Sequence, residues 1–228
     1  MRHIRKKHNF ERKKMDKPVI YTVGHSSHPI EVFLELLKTP SVNCLIDVRS
    51  IAASSYTPQY NQEPLSAFLK ANGIVYLHFA KEFGARHTDS NLLDDERKVD
   101  FVRVRESLNF KNGIKRLRQG IDKGYCIALM CSEGDPLDCH RFSMISVALE
   151  KDGFDVKHIL KDKTLKTTAE LESQLLKKYE KKITQPSPNQ HSLIQHVTSD
   201  EQLQAAYRLK NKEIAFSPYS KQTTQEHD

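Results

Sequence analysis

The stretch LMCSEGDPLDCHR, residues 129–141, gathers reactive side-chain types around one Gly-Asp-Pro turn. Five of its side chains can take part in chemistry: Cys131, Glu133, Cys139, His140 and Arg141. An apolar run precedes them and a run with helical spacing follows, which predicts a strand-to-helix turn. Open parallel sheets bind their ligands at such turns, beyond the carboxyl ends of the strands.

The chemistry that this turn favours is that of a thiol beside an anion site. Cys139, His140 and Arg141 begin the predicted helix, where free backbone N–H groups attract negative charge. The same field lowers the pKa of a nearby thiol. Cys131 at the strand tip is therefore predicted to be the nucleophile, with Glu133 as a second catalytic group.

Two other predicted strands end in functional side chains. The first exits into Gly24, His25 and Ser26, and the second into Asp47 and Arg49. His25 suits the role of general acid or base. Arg49 and Arg141 suit bidentate binding of a phosphate or carboxylate. Gly24 would let a ligand approach the backbone closely. The predicted catalytic residues are Cys131, His25 and Glu133. The predicted substrate-binding residues are Gly24, Ser26, Asp47, Arg49, Cys139, His140 and Arg141.

Structural roles compete with each of these assignments. Asp47 and Arg49 share one face of a strand and can simply pair, and Cys139 can be a small packing residue. Glu133 can cap the following helix or pair with Arg141.

A metal site formed by Cys131, Cys139, His140 and His25 is a rival interpretation. It lacks the C-x-x-C spacing typical of zinc sites, so we rank it below thiol and anion chemistry. No metal ligand is assigned, and the sequence identifies no cofactor.

The elements around these residues alternate between strand and helix. Near-continuous apolar runs predict strands over 18–24, 42–48, 74–79, 125–131 and 155–160. Helical spacing predicts helices over 28–38, 61–73, 139–151 and 199–212, part of 101–120, and a helix opened by a capping box at Thr167 and Glu170. Residues 80–100 lack periodicity and are predicted to be a loop or lid.

This alternation predicts an α/β fold: a mainly parallel sheet with helices on both faces, in a single domain with a C-terminal helical extension. The predicted boundaries are a basic N-terminal tail over 1–17, an α/β core over 18–182 and an extension over 183–228. The extension begins as a linker, contains one helix and ends in a disordered tail.

The net charge of +7 is concentrated at one end of the chain. Residues 1–14 hold seven Lys/Arg and one Glu, which accounts for +6 of it. Such an arm could contact nucleic-acid phosphates, but the remainder carries no basic excess. Met15 is an alternative start, so we leave open whether the arm belongs to the native protein.

The overall composition favours a cytoplasmic protein. The mean hydropathy is −0.61, and no apolar run approaches the ~20 residues that a membrane span needs. There is no signal peptide pattern, and four cysteines without one suggest reduced thiols in the cytosol. We expect no membrane partner.

Five segments, in order and spacing, resemble the uncharacterised family called domain of unknown function 488: YTVGHS, LIDVRS, GIVYLHFAKEFGA, ALMCSEGDPLDCHR and VKHIL. The positions that the resemblance carries over are Gly24, His25, Ser26, Asp47, Arg49, Cys131, Glu133, Cys139, His140, Arg141 and His158. It implies an α/β fold and a shared polar site, and it implies no particular reaction.

The sequence thus predicts an enzyme, a thiol-dependent transferase or hydrolase, that acts on a small phosphorylated, nucleotide-like or nucleic-acid substrate. A non-catalytic nucleic-acid accessory protein and a metal-dependent hydrolase or metal-binding protein are the alternatives. The oligomeric state is not predicted.

Overall fold

The computed structural model describes residues 17–183 and 198–219. The basic arm over 1–14, most of the predicted linker and the predicted disordered tail lie outside these ranges, so the predictions made for them are not addressed by the structure.

A six-stranded sheet forms the centre of the molecule. Its strands are β1 (Val19–Gly24), β2 (Cys44–Asp47), β3 (Val75–His78), β4 (Ile127–Cys131), β5 (Asp155–Ile159) and β6 (Leu165–Thr167). Their order is β3-β2-β4-β1-β5-β6, and every pairing is parallel except that between β5 and β6. The predicted α/β class is confirmed. The five predicted strands all form, each within two residues of the expected bounds.

Helices cover both faces of this sheet, because alternate residues of its central strands are apolar on either side. On one face, Ala128 and Met130 pack with α1 (Ile30–Lys38) and α2 (Gln62–Ala71). On the other, Ile127 and Leu129 pack with α4 (Phe101–Glu106), α5 (Leu108–Asp122) and α6 (Val147–Lys151). A short helix, α3 (Ala80–Phe83), follows β3 and packs on the α4 and α5 side.

The segment over 101–120, predicted to be helical in part, forms two helices. Ser107 has an extended backbone with ψ of 151°, and its side chain accepts a hydrogen bond from the Phe110 amide, so it ends α4 and caps α5. A serine in this position competes for backbone hydrogen bonds and favours a helix start.

The chain beyond β5 contains a strand that the sequence did not indicate. β6 has three residues at the sheet edge, too short for an alternating pattern. Its last residue, Thr167, exchanges hydrogen bonds with Glu170 at the start of α7 (Thr168–Ile183), as the capping box predicted.

The C-terminal helix α8 (Ser199–Ile214) packs against α7 around Phe142, Tyr179 and Tyr207. After it, the Phe216 carbonyl accepts a hydrogen bond of 2.9 Å from the Val99 amide. The described part of the extension, residues 198–219, is therefore docked on the core. Within the described ranges, no helix combines the length and apolarity that crossing a membrane requires.

Candidate functional site

The three strand exits singled out in the sequence lie side by side, because β2, β4 and β1 are neighbours in the sheet. Backbone hydrogen bonds extend the pairing past the strand ends. The His25 amide donates to the Cys131 carbonyl at 3.0 Å, and the Val48 amide donates to the Met130 carbonyl at 3.0 Å. Parallel strands thus bring the predicted residues to one edge.

At this edge Cys131, Glu133, Cys139 and His140 form a compact group, called here the sulfur cluster. One ligand atom from each side chain lies within 4.8 Å of every other. Nδ1 of His140 is 3.6 Å from Sγ of Cys131 and 3.8 Å from Sγ of Cys139. The Cys131 thiol donates to Oε2 of Glu133 at 3.0 Å. These four are the side chains at this edge that could hold a metal; His25 is not one of them.

The orientation of the His140 ring is fixed by the backbone. Its Nε2 lies 3.2 Å from the carbonyl oxygen of Val48, and since a carbonyl only accepts, Nε2 carries a proton. Nδ1 is consequently the nitrogen that faces the two sulfurs.

The charges within the cluster are unequal. Burial alone would raise the pKa of Cys139, but the neighbouring Cys131 thiol and the positive charge of Arg141 hold that pKa well below its usual value. The neighbouring Cys139 sulfur, with burial and the Glu133 carboxylate, raises the pKa of Cys131 well above its usual value. Without other occupants a thiolate is therefore favoured on Cys139 over Cys131.

The other two members respond to this negative sulfur. Burial disfavours the charged form of His140, yet the charge and hydrogen bonding of Cys139, with Glu133 and the Val48 carbonyl, together outweigh burial and raise the His140 pKa. Desolvation and the Cys139 charge both raise the pKa of Glu133.

The helix after the cluster begins with an unusual turn. Residues Arg141–Ser146 are π-helical before α6 begins, and all six are buried. The Arg141 amide donates to Sγ of Cys139 at 3.4 Å, and the Ser146 hydroxyl donates to the Arg141 carbonyl at 2.7 Å. The helix start thus directs an N–H at the cysteine sulfur itself, and π-turns of this kind recur at functional sites.

Arg141, a predicted anion clamp, is fully buried. Its guanidinium donates to the carbonyl oxygens of Glu133 and Gly134, so it holds the loop that carries Glu133. Gly24 leaves room for the same loop, because a Cβ there would lie 1.9 Å from the Glu133 carbonyl oxygen. The space that we expected a ligand to occupy beside Gly24 is filled by protein backbone.

Asp47 and Arg49 form a buried ion pair, which is the structural alternative considered for them. Arg49 Nη2 lies 2.6 Å from Oδ2 of Asp47 and 2.7 Å from the Tyr60 carbonyl. The Tyr76 hydroxyl donates to the same carboxylate at 2.8 Å. The charge of Arg49 is therefore already compensated.

His25, the predicted proton carrier, lies against this pair. Its ring stacks on Tyr60 with 4.1 Å between centroids. Nδ1 donates to the Ser26 carbonyl at 2.7 Å, and Nε2 accepts from Arg49 Nη1 at 3.3 Å. Burial lowers the pKa of His25 to about 4 despite that first hydrogen bond, and the Arg49 charge adds to the lowering. His25 is thus neutral near pH 7 with both nitrogens engaged.

A cavity of about 380 Å³ opens over the sulfur cluster. Four of the predicted site residues line it: Arg49, Cys131, Glu133 and His140. Gly24, His25, Asp47, Cys139 and Arg141 do not, and Ser26 lines a different cavity beside Gly134. The exits converge in space, but only part of the predicted set faces the cavity.

The cavity also exposes residues that the sequence did not single out. Arg86 lines it with an exposed side chain, 5.5 Å above the Phe216 ring, and its amide donates to the Ser50 hydroxyl at 2.9 Å. No ion pair joins Arg86 to a carboxylate within the described residues. At the end of β3, Nε2 of His78 donates to the Arg49 carbonyl at 2.8 Å. The reasoning that singled out the ends of β1, β2 and β4 applies equally to the end of β3, so the sequence could have indicated His78. It could not have indicated Arg86, which lies in a segment without periodicity.

Comparison with known proteins identifies a family and no relative of known activity. Neither the curated proteins nor the solved structures contain a match to this chain. The family model described as Domain of unknown function DUF488 matches residues 29–147, which is more than half of the 228 residues and includes the whole sulfur cluster. By this match, and in agreement with the resemblance of its motifs, the chain belongs to the DUF488 family.

Proposed function

We propose that this protein is an enzyme that acts on a small anionic substrate, phosphorylated or nucleotide-like, bound in the cavity over the sulfur cluster. One observation carries the proposal. The reactive groups Cys131 and Glu133 line the same cavity as the guanidinium of Arg86, which forms no ion pair with any carboxylate in the described part of the chain.

Arg86 is the residue best suited to recognise the substrate's charge. Arg49 is compensated by Asp47, and Arg141 is enclosed by the loop that it holds. Arg86 is exposed at the cavity, and a guanidinium offers a planar fork of donors that fits phosphate. Hydroxyls of Ser50, Ser54 and Ser132 line the same space and can accept or donate beside it.

The reacting end of the substrate would lie over Cys131. In a thiol mechanism Glu133 takes the proton from the Cys131 sulfur, to which it is already hydrogen bonded at 3.0 Å. The raised pKa of Glu133 suits a group that must accept and return a proton near neutral pH. We further propose a reducing compartment such as the cytosol, since all four cysteines are unpaired.

The test is binding of inorganic phosphate and of a nucleoside 5′-monophosphate to the metal-free protein, followed by calorimetry. Arg86→Met should weaken binding by roughly 10- to 100-fold, because a charge-assisted hydrogen bond contributes about 1.5–3 kcal/mol. Arg208→Met is the matched control, since Arg208 is also exposed but does not line this cavity. Equal affinities for the two variants would remove the anion-binding role.

The catalytic part of the proposal has its own test. Once a turnover assay is found among phosphorylated substrates, Cys131→Ser should abolish turnover and leave the melting temperature nearly unchanged. A large loss of stability with retained turnover would instead make Cys131 a packing residue.

A further inference from the structure

We propose that Cys131, Glu133, Cys139 and His140 together bind one divalent transition-metal ion of the zinc class. The donor set is two sulfurs, one imidazole nitrogen and one carboxylate oxygen, brought within 4.8 Å of each other. The proposal rests on the proposed function only for the cavity through which the site is reached.

The spacing of the donor atoms fits a tetrahedral ion. With Zn–S near 2.3 Å and Zn–N near 2.0–2.1 Å, an S···N edge of the tetrahedron is about 3.6 Å. The two observed edges from His140 Nδ1 are 3.6 Å to Cys131 Sγ and 3.8 Å to Cys139 Sγ. Two edges of the site therefore match a tetrahedral ion, and the third, between the two sulfurs, is within 4.8 Å.

Glu133 is the adjustable member of the set. Its oxygen, at 3.0 Å from Cys131 Sγ, is nearer than a tetrahedral edge and would retreat by roughly half an ångström to become a ligand. Glu133 is exposed and lies on a loop, so its side chain can make that movement. The same freedom would let it yield its position to a substrate.

The outer contacts of the ligands match those of metal sites. A metal-bound histidine commonly donates its second N–H to a carbonyl, and His140 Nε2 does so to Val48 at 3.2 Å. The Arg141 amide donates to Sγ of Cys139 at 3.4 Å, which orients that sulfur. Nδ1 and the sulfur are thus both held toward the same point.

The chemistry of the donors selects the ion. Thiolates and imidazole favour zinc and its neighbours over magnesium or calcium, which prefer oxygen ligands. Binding releases the remaining sulfur proton to solvent and changes no oxidation state. A metal here would supply a Lewis acid on the cavity floor, and Cys131 would then act as a ligand rather than as a nucleophile.

The spacing of the ligands along the chain explains why the sequence favours thiol and anion chemistry over a metal site. The four residues form a C-x-E and a C-H pair, five residues apart, and neither pair is a C-x-x-C. The rival metal interpretation included His25 as fourth ligand, but that ring is engaged by Ser26 and Arg49. The structure places Glu133 there instead.

The experiment is titration of the reduced, metal-free full-length protein with Co²⁺, followed by absorption spectroscopy, with Zn²⁺ as competitor. We expect one Co²⁺ per chain, thiolate-to-metal charge-transfer bands and the intense d–d bands of tetrahedral geometry. Cys126→Ser, which removes a half-buried thiol outside the cluster, should change none of these.

Ligand variants complete the test. Cys139→Ser should lose charge-transfer intensity, and Glu133→Gln should weaken Co²⁺ binding by at least the roughly 10-fold that loss of an outer-shell partner costs. Spectra without thiolate bands, or thiolate bands that Cys139→Ser leaves intact, would overturn the proposal. If Cys139→Ser does not fold, the exposed Glu133 decides, and unchanged Co²⁺ affinity of Glu133→Gln rejects the four-ligand site. Phosphate binding, measured without metal, tests the proposed function separately.

Discussion

The ammonium group of Lys210 is fully buried and lies 2.9 Å from the carboxylate of Asp138, the residue that precedes Cys139. Glu213 provides a second carboxylate at 2.8 Å. One lysine of the C-terminal helix thus ties that helix to the turn between the two halves of the sulfur cluster.

This ion pair predicts unequal effects of removing its two sides. Lys210→Met leaves two carboxylates that are more than 40 % exposed and remain hydrated, so it should cost no more than about 1 kcal/mol of unfolding free energy. The double variant Asp138→Asn/Glu213→Gln strands a buried ammonium and should cost about 3–5 kcal/mol. Urea unfolding measures the loss of unfolding free energy in each variant. Equal losses would show that an unpaired charge on Lys210 is not what destabilises the double variant.

Buried histidines predict a loss of stability in mild acid. Burial lowers the pKa of His158 to about 3 and that of His25 to about 4. Because the unfolded chain binds protons at pH values where these rings stay neutral, the folded state is favoured fully above about pH 6.5 and progressively less as the pH falls toward 4.

The expected slope across that window is up to about 1.4 kcal/mol per pH unit for each histidine. The measurement is urea unfolding at a series of pH values. His158→Gln should have a shallower pH dependence, although it also loses hydrogen bonds to Thr22 and Thr168. A variant curve parallel to that of the unmodified protein would contradict the assignment to His158.

The unequal cysteines predict one thiolate at neutral pH in the metal-free protein. An ordinary thiol, with a pKa of about 8.5, is protonated there, whereas the pKa of Cys139 is held well below its usual value by its neighbours. Ultraviolet thiolate absorbance should disappear in Cys139→Ser and persist in Cys126→Ser. Absorbance that survives the loss of Cys139 would place the charge on another sulfur.

Gly24 predicts a steric effect on the sulfur cluster. In Gly24→Ala the new Cβ meets the Glu133 backbone, so the loop must move, at about 1–3 kcal/mol and with loss of Co²⁺ binding. Gly120→Ala is the control, because its Cβ meets only the end of the Ile127 side chain at 2.9 Å. Thermal unfolding should show a loss for the first variant alone.

The basic arm predicts salt-sensitive binding if it contacts nucleic acid. Deletion of residues 1–14 removes +6 of the charge, so any binding to DNA or RNA should be lost, and before deletion it should fall steeply with salt. Electrophoretic mobility shifts at two salt concentrations measure this. Binding that survives the deletion would exclude the arm as the contact.

The sequence was sufficient for the five parallel strands because they are short, continuous apolar runs, and a parallel sheet buried on both faces requires such runs. It was insufficient at Ser107, where one hydroxyl decides between one helix and two. The sequence did not indicate β6, because three residues at a sheet edge are too few to show an alternating pattern of apolar and polar side chains.

For the site, the sequence identified all four members of the sulfur cluster but not the separate role of each side chain. Which charged side chain turns inward depends on packing that spacing does not encode. Arg141 is buried with its guanidinium on loop carbonyls, and Asp47 is buried and paired with Arg49. Arg86, in a segment without periodicity, faces the cavity. The residues nearest to each other in the chain were therefore easier to interpret than the partners supplied by distant loops.

The family-matched segment, residues 29–147, is smaller than the structural unit that contains the cavity. It omits β1, which lies between β4 and β5, and it omits Ile214, which lines the cavity. A clone trimmed to the matched boundaries would leave β4 with an open edge and the cavity without that side chain. Biochemical work on this chain should therefore begin from the intact polypeptide, and a failure of shorter fragments would say nothing about its chemistry.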